Sequence, residues 1–489
     1  MATKQPEATI TRETRSTISN STDFSNLSGS DKIEEDKYNP DPNYSTLFDV
    51  PNSSDYIRYT TESGCDFKII QMATIEKCVQ TMLSKDFNDG YFQECFVLAY
   101  RLVTTPERLL ELLNILFDPT VPEGMDWDTF VKDIVAPGRL KIMNFVRMWM
   151  KNAWKDFEGK EDLIDKLQQL ITRFKQFNPK MSSILQKQLE HRIANVDTCS
   201  EEQVVFQKPL KLIKNKYSNI FKFHPIEFAR QITLMQNDLF RKIPYVEFLG
   251  NGWTKKTKDL LTPNIMKLVR STQKLFSIVQ TFILNEKEVG NRALAIHYFL
   301  VVAEEMRRLN NFEGMKAVFG ALGSFPIFRL KYSWEGISSE DKENESKLNA
   351  LCDQEKNFSK LREVMKIAVS PCIPFLGSTM GDLVFTDDGN KKGDTEKSLI
   401  NFFKIRGIGN LIKEIMVKQA VPYPFKRNDT IIEYFEQFQI VDDEEVLFDM
   451  STKLEEKRGE MTPELEKKIA KCKKEGNSAI KKYLKYVSN

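Results

Sequence analysis

From about residue 65 onward, apolar residues recur at the three-to-four spacing of helices. Ile69, Ile70, Met72, Ile75, Val79 and Met82 form the first such series, with Thr74 placed to cap it. Residues 91–102, YFQECFVLAYRL, are a second and strongly apolar helix. Thr105-Pro106-Glu107 starts a third, with Thr as N-cap, Pro at the first helical position and Glu in the first turn. Its apolar face is Leu109, Leu110, Leu112, Leu113 and Ile115. Residues 139–154 and 161–190 supply further helices, and no segment alternates cleanly at period two. Residues 220–456 form a second helical block. Residues 335–350, rich in Ser, Glu, Asp, Lys and Asn, interrupt it as a surface loop or a short exposed helix. The expected fold class is all-α, with two helical domains at 56–195 and 220–456.

The flanking segments read differently. Residues 1–55 are rich in Ser, Thr, Asn and Asp and have too little apolar surface to offset the entropy of ordering, so a disordered tail is expected. Residues 196–219 are a linker with Lys208, Lys211, Lys214 and Lys216, a solvated run or a weak membrane contact. Residues 457–489 read as a basic C-terminal helix capped by Thr462, with Pro463 following and lysines in its later turns.

Composition narrows the function. Of 489 residues, 41% are hydrophobic, enough for large cores, and 71 Lys and Arg balance 69 Asp and Glu. This even balance provides no field to gather nucleic acid. Seven dispersed cysteines without CxxC pairing are expected as reduced thiols in the cytosol. No apolar run approaches the ~18 residues of a membrane span. The N-terminus lacks a signal core, position 2 is Ala and the C-terminus YVSN has no prenylation cysteine, so membrane targeting is left to partners or weak surface contacts. No GxxxxGK[ST] loop, HExxH, Cys/His metal spacing or GxSxG elbow occurs, and His191, His224 and His297 are far apart in sequence. The expectation is no cofactor, no metal and no covalent chemistry.

Residues 375–390, FLGSTMGDLVFTDDGN, are an apolar stretch ending in an acidic turn, Asp387-Asp388-Gly389-Asn390. Residues 399–416, LINFFKIRGIGNLIKEIM, place Ile408, Leu411, Ile412 and Ile415 on one helical face. The polar stretch KKGDTEK joins them, which predicts a projecting helical hairpin. In this form and order the pair resembles the helical hairpin of Ras guanine-nucleotide exchange factors. Other segments resemble that family's catalytic domain in its order: HPIEFARQ at 224–231, Trp253-Thr254-Lys255, PNIMKLVRST at 263–272, Asn291-Arg292-Ala293, Leu309-Asn310-Asn311-Phe312, Ser324 to Leu330, Pro374-Phe375-Leu376-Gly377, Tyr423-Pro424, and Val441-Asp442 through Ser451. Residues 59–190, with ATIEK at 73–77, FVLAYR at 96–101 and Thr104-Thr105-Pro106, resemble the Ras exchanger motif that precedes such domains.

The resemblance implies an exchanger-motif domain at 56–195 packed on a catalytic domain at 220–456. It implies guanine-nucleotide exchange on a Ras-family GTPase, Ras or Rap-like. The expected location is the cytoplasm, with peripheral recruitment to the inner face of the plasma membrane. Val384 matches the position whose apolar side chain crowds the Mg²⁺ site of the GTPase, and Asp388 the acidic position near its α-phosphate. Arg270, Asn310, Phe375, Gly377 and Asp387 fall at the GTPase surface. Position 388 is Asp where many members have Glu, and Gly407 and Gly409 interrupt the second hairpin helix, each costing about 1 kcal/mol relative to Ala. A looser brace keeps open an alternative, a weak or inactive adaptor that binds a GTPase without opening it.

Overall fold

The computed structural model describes residues 52–61, 67–119, 121, 124–194, 207–210, 219–390, 393–456, 462–464, 466–471 and 474. The expected tail lies almost wholly outside this range, as do Lys211, Lys214 and Lys216 of the linker and most of the C-terminal segment.

The N-terminal half is built on helices whose starts the sequence marks. Thr74 accepts from the Lys77 amide at 3.2 Å and opens Ile75–Met82. Asp89 caps Gly90–Ala99, and Thr105 accepts from the Arg108 amide at 3.2 Å, with Pro106 next. Ala136–Asn152, Glu161–Phe174 and Pro179–Ile193 complete the set, the last two separated by an Asn178 cap. Phe92, Phe96, Tyr100, Phe145, Trp149 and Phe157 are all buried at the centre.

Ile69–Ala73 is a strand rather than the start of a helix. It is β2 of a four-stranded antiparallel sheet ordered β1-β2-β4-β3, with β1 Ile57–Thr60, β3 Gly393–Asp394 and β4 Leu399–Asn401. Met72 pairs with Asn401 and Ala73 with Ile400, so the decisive partner lies more than three hundred residues away in the chain. The stretch expected as a simple polar turn between the hairpin limbs thus contributes β3, and the first three residues of the segment expected as the second helix form β4 instead; a Cβ at Gly393 would meet the Leu399 carbonyl oxygen at 1.8 Å.

The C-terminal half packs Pro225–Arg241, Pro263–Asn285, Val289–Arg308 and Phe312–Leu322 around one aliphatic and aromatic core. The polar insertion is the helix Ser339–Cys352, opened by a reciprocal capping box between Ser338 and Asp341. It is not merely exposed: Leu348 is buried, and Asp341 lies 2.7 Å from Nδ1 of buried His297.

Besides the β2–β4 pairing, two buried contacts among the described residues join the halves. The Asp156 carboxylate, fully buried, accepts from Tyr100 Oη at 2.5 Å, Trp149 Nε1 at 2.7 Å and Arg101 at 2.8 Å, and also from Tyr245 of the C-terminal half. Burial, with this carboxylate alongside, pushes both phenols well above their usual range. The second contact is Gly90–Ala99 against Phe402–Gln419, where Phe402 meets Phe92 and Phe96 with ring centroids 6.1 and 6.2 Å apart.

Candidate functional site

The wedge helix runs Leu376–Gly389 and continues through both aspartates, so the expected acidic turn is the helix's last turn. Its base is fixed by Glu313, a buried carboxylate that accepts from the Leu376 amide at 2.9 Å. Burial raises the pKa of Glu313, opposed by that amide and by Thr272. The approach to the wedge is stitched to Asn310, whose φ is 57°. Asn310 Nδ2 donates to the Val369 carbonyl at 3.1 Å and its own carbonyl accepts from Ile373 at 3.0 Å, while the Phe312 amide donates to the Ile373 carbonyl at 2.9 Å.

Gly377, Gly381, Val384 and Asp388 share one face of the wedge, at i, i+4, i+7 and i+11. This face is accessible. Gly377 and Asp388 are exposed and Val384 is half-buried, and a Cβ at Gly381 would meet nothing within 4 Å. Among the described residues Asp388 has no hydrogen-bond or ion-pair partner.

Its neighbour is held. The Lys404 ammonium lies 2.7 Å from both the Asp387 carboxylate and the Asp387 carbonyl, and Asn251 Nδ2 donates to the same carboxylate at 3.1 Å. Two adjacent carboxylates therefore differ: Asp387 is neutralised within the chain and Asp388 presents an uncompensated charge. Phe375, half-buried at the wedge's N-cap, sits edge-on to Phe358 at 5.6 Å, with the Lys316 ammonium over both rings.

Arg270 is exposed and ion-paired with Asp259. Asp259 lies on the short turn Lys258–Leu261, which also carries Leu260 at 81% exposure. The structure thus brings Val384, Asp387 and Asp388 together at the wedge tip and places Phe375, Gly377 and Asn310 at its base. Arg270 stands apart on Pro263–Asn285, with no contact to the wedge among the described interactions.

The brace Phe402–Gln419 buries Phe402, Lys404, Ile405, Ile408, Ile412 and Ile415. Leu411, expected on the same apolar face, is only half-buried. A Cβ at Gly409 would lie 2.2 Å from the Cys95 carbonyl oxygen, and one at Gly407 would meet only Thr386 Cγ2 at 3.1 Å. Gly409 therefore marks close helix-on-helix packing, correcting the expectation of a looser brace. Arg406 pairs with Asp89 and Lys413 with Glu94 across the same contact. The wedge limb presents an open face, whereas the other limb buries one face against the core.

Sequence reasoning missed Lys404, Asn251, Glu313 and Phe385. A lysine on an apolar helical face was a usable signal, because a buried ammonium requires a partner. Phe385, 78% exposed, lies off the Val384–Asp388 stripe and gave no such signal.

The structure is thus largely helical, with an acid-tipped wedge whose brace packs on the helices of the N-terminal half. Residues 227–406 match the RasGEF domain and residues 69–177 the RasGEF N-terminal motif, and the chain belongs to the Ras guanine-nucleotide exchange factor family. Protein son of sevenless of Drosophila melanogaster is 24% identical over 425 residues, covering 80% of this chain and 26% of its own. Ras-specific guanine nucleotide-releasing factor 2 of Danio rerio is 31% identical over 319 residues, 64% of this chain and 25% of its own. Ras guanine nucleotide exchange factor P of Dictyostelium discoideum is 28% identical over 379 residues, 75% of this chain and 25% of its own. The chain spans about a quarter of the length of these relatives. Among the described residues no helix is long and apolar enough to cross a membrane.

Proposed function

We propose that this chain accelerates GDP release from a Ras-family GTPase, Ras or Rap-like, without covalent chemistry. A GTPase holds its nucleotide through Mg²⁺, phosphate contacts and a closed loop. A partner that binds the open, nucleotide-free form more tightly weakens nucleotide binding by the same factor. The wedge supplies that preference. Val384 crowds the metal site, and Asp388, one turn on, repels the phosphate and occupies its donors. Arg270, Asn310, Phe375, Gly377 and Asp387 belong to the docking surface, with Asp387 also locking the wedge tip through Lys404. Residues 56–195 act as the domain that braces the hairpin behind a catalytic domain at 220–456. The protein works in the cytoplasm, recruited to membranes by its partners.

The observation that carries this reading is the unpartnered Asp388 carboxylate on the open wedge face, one residue from a carboxylate that the scaffold has neutralised. The test is release of fluorescent GDP from a panel of Ras and Rap-like GTPases in the presence of the full chain. Acceleration on at least one member is expected. A folded protein that speeds release from none of them overturns the proposal.

A further inference from the structure

The N-terminal half carries a cleft of about 940 Å³ on the side of Gly90–Ala99, where Ala136–Asn152 and Pro179–Ile193 run side by side. The two helices are parallel and in register: Gln188 donates to the Arg147 carbonyl at 3.2 Å and Arg192, four residues on, to the Lys151 carbonyl at 2.9 Å. Arg147 and Lys151 line one wall, and Lys187, His191 and Arg192 the other. Glu94 is the sole carboxylate of the lining, and it is already paired with Lys413 of the brace.

Cations near helix C-termini offset the helix dipole, and Lys151, His191 and Arg192 lie in last turns. Arg147 and Lys187 lie a turn earlier, beyond the reach of that effect. They form i, i+4 rows with Lys151 and His191, an arrangement that sets basic side chains next to each other and works against the helix carrying them. Among the described residues none of Arg147, Lys151 and Lys187 has a carboxylate partner. A cleft of this volume is in the range that takes a small molecule.

We propose that the cleft is a binding site for a polyphosphorylated polyol, either a soluble inositol phosphate or the same headgroup on a lipid. Several phosphates bridge the two walls, each taking charge-assisted hydrogen bonds from Arg147, Lys151, Lys187 and Arg192.

The test is titration of the full chain with inositol trisphosphate by calorimetry. In parallel, co-sedimentation uses phosphatidylcholine vesicles carrying a phosphatidylinositol bisphosphate, with vesicles carrying phosphatidylserine as the comparison. Arg147→Glu with Lys187→Glu changes exposed side chains, so the fold survives, and should weaken binding by at least roughly tenfold. Lys166→Glu with Lys175→Glu, the same charge change on another exposed face of the same half, should leave binding within about twofold. Saturation by inositol trisphosphate supports the soluble form, and binding to the bisphosphate vesicles alone supports the lipid. No binding to either probe overturns the proposal. So does equal loss in both double variants, or equal affinity for phosphatidylserine vesicles, since either result reports only general electrostatics.

Discussion

Gly409 and Cys95 touch through their backbones: a Cβ on Gly409 would lie 2.2 Å from the Cys95 carbonyl oxygen. Glycine is what lets the brace lie this close to Gly90–Ala99. Gly409→Ala should cost roughly 1–3 kcal/mol, as overpacking does in a filled core. Gly407→Ala meets only a methyl at 3.1 Å and gains about 1 kcal/mol of helix propensity. Urea melts of the two variants should therefore shift in opposite directions. If Gly409→Ala is as stable as wild type, the close contact is absent.

Lys404 ties the wedge tip to its brace. Lys404→Met removes the ammonium shared by the Asp387 carboxylate and carbonyl. The maximal rate of GDP release at saturating exchange factor should fall by roughly tenfold, about 1.4 kcal/mol of barrier. Docking to nucleotide-free GTPase should hold within a few tenths of a kcal/mol. Affinity falling in step with rate would show that Lys404 serves binding rather than tip geometry.

Asp388→Ala and Val384→Ala remove side chains from the open face. Asp388 has no partner among the described residues, so its loss should leave the melting temperature unchanged while the maximal exchange rate drops. Arg270→Ala breaks an exposed ion pair worth about 0–1 kcal/mol to stability. Its loss should show as a weaker apparent affinity for the GTPase, by about 1–3 kcal/mol if the contact is a buried hot spot. Rate titrations separate the two classes; an Asp388→Ala variant rescued by saturating concentration would place that carboxylate in docking.

Asn310 does two jobs that two substitutions separate. Asn310→Gly keeps the left-handed backbone and loses only the bond to the Val369 carbonyl, about 0.5–1.5 kcal/mol. Asn310→Ala also forces a Cβ residue into that conformation, at about 1 kcal/mol more. Thermal melts should rank wild type above Gly above Ala. Equal stability of all three would mean the residue acts only at the GTPase surface.

His224 predicts an acid limb. Its Nδ1 caps the Ile226 amide at 3.3 Å, and burial, with Arg230 nearby, lowers its pKa from 6.5 to about 4. A depressed folded-state value means the stability is fully present above pH 6.5 and is lost as pH falls toward 4. The loss attributable to this group reaches at most roughly 3 kcal/mol. His224→Asn keeps a capping oxygen and should flatten the stability profile between pH 6.5 and 4. An unchanged profile would assign the acid limb to other groups.

The sequence by itself determined the helical class and the helix starts after Thr74 and Thr105, because each of these caps acts within three residues of itself. It also determined the order of the hairpin segments, whereas the stripe joining Val384 to Asp388 exists only because the wedge helix runs on through the expected acidic turn. Tertiary structure decided the rest. Ile69–Ala73 is a strand because β4 completes it from the far end of the chain, and no local spacing encodes that pairing. Gly409 reads as a weakness until Cys95 is set against it. Asp387 and Asp388 are chemically identical neighbours, and only the approach of Lys404 and Asn251 makes one a scaffold residue and leaves the other an open charge. Local propensity acts between residues near in sequence, whereas close packing and charge compensation act between residues near in space, and the fold alone supplies the second.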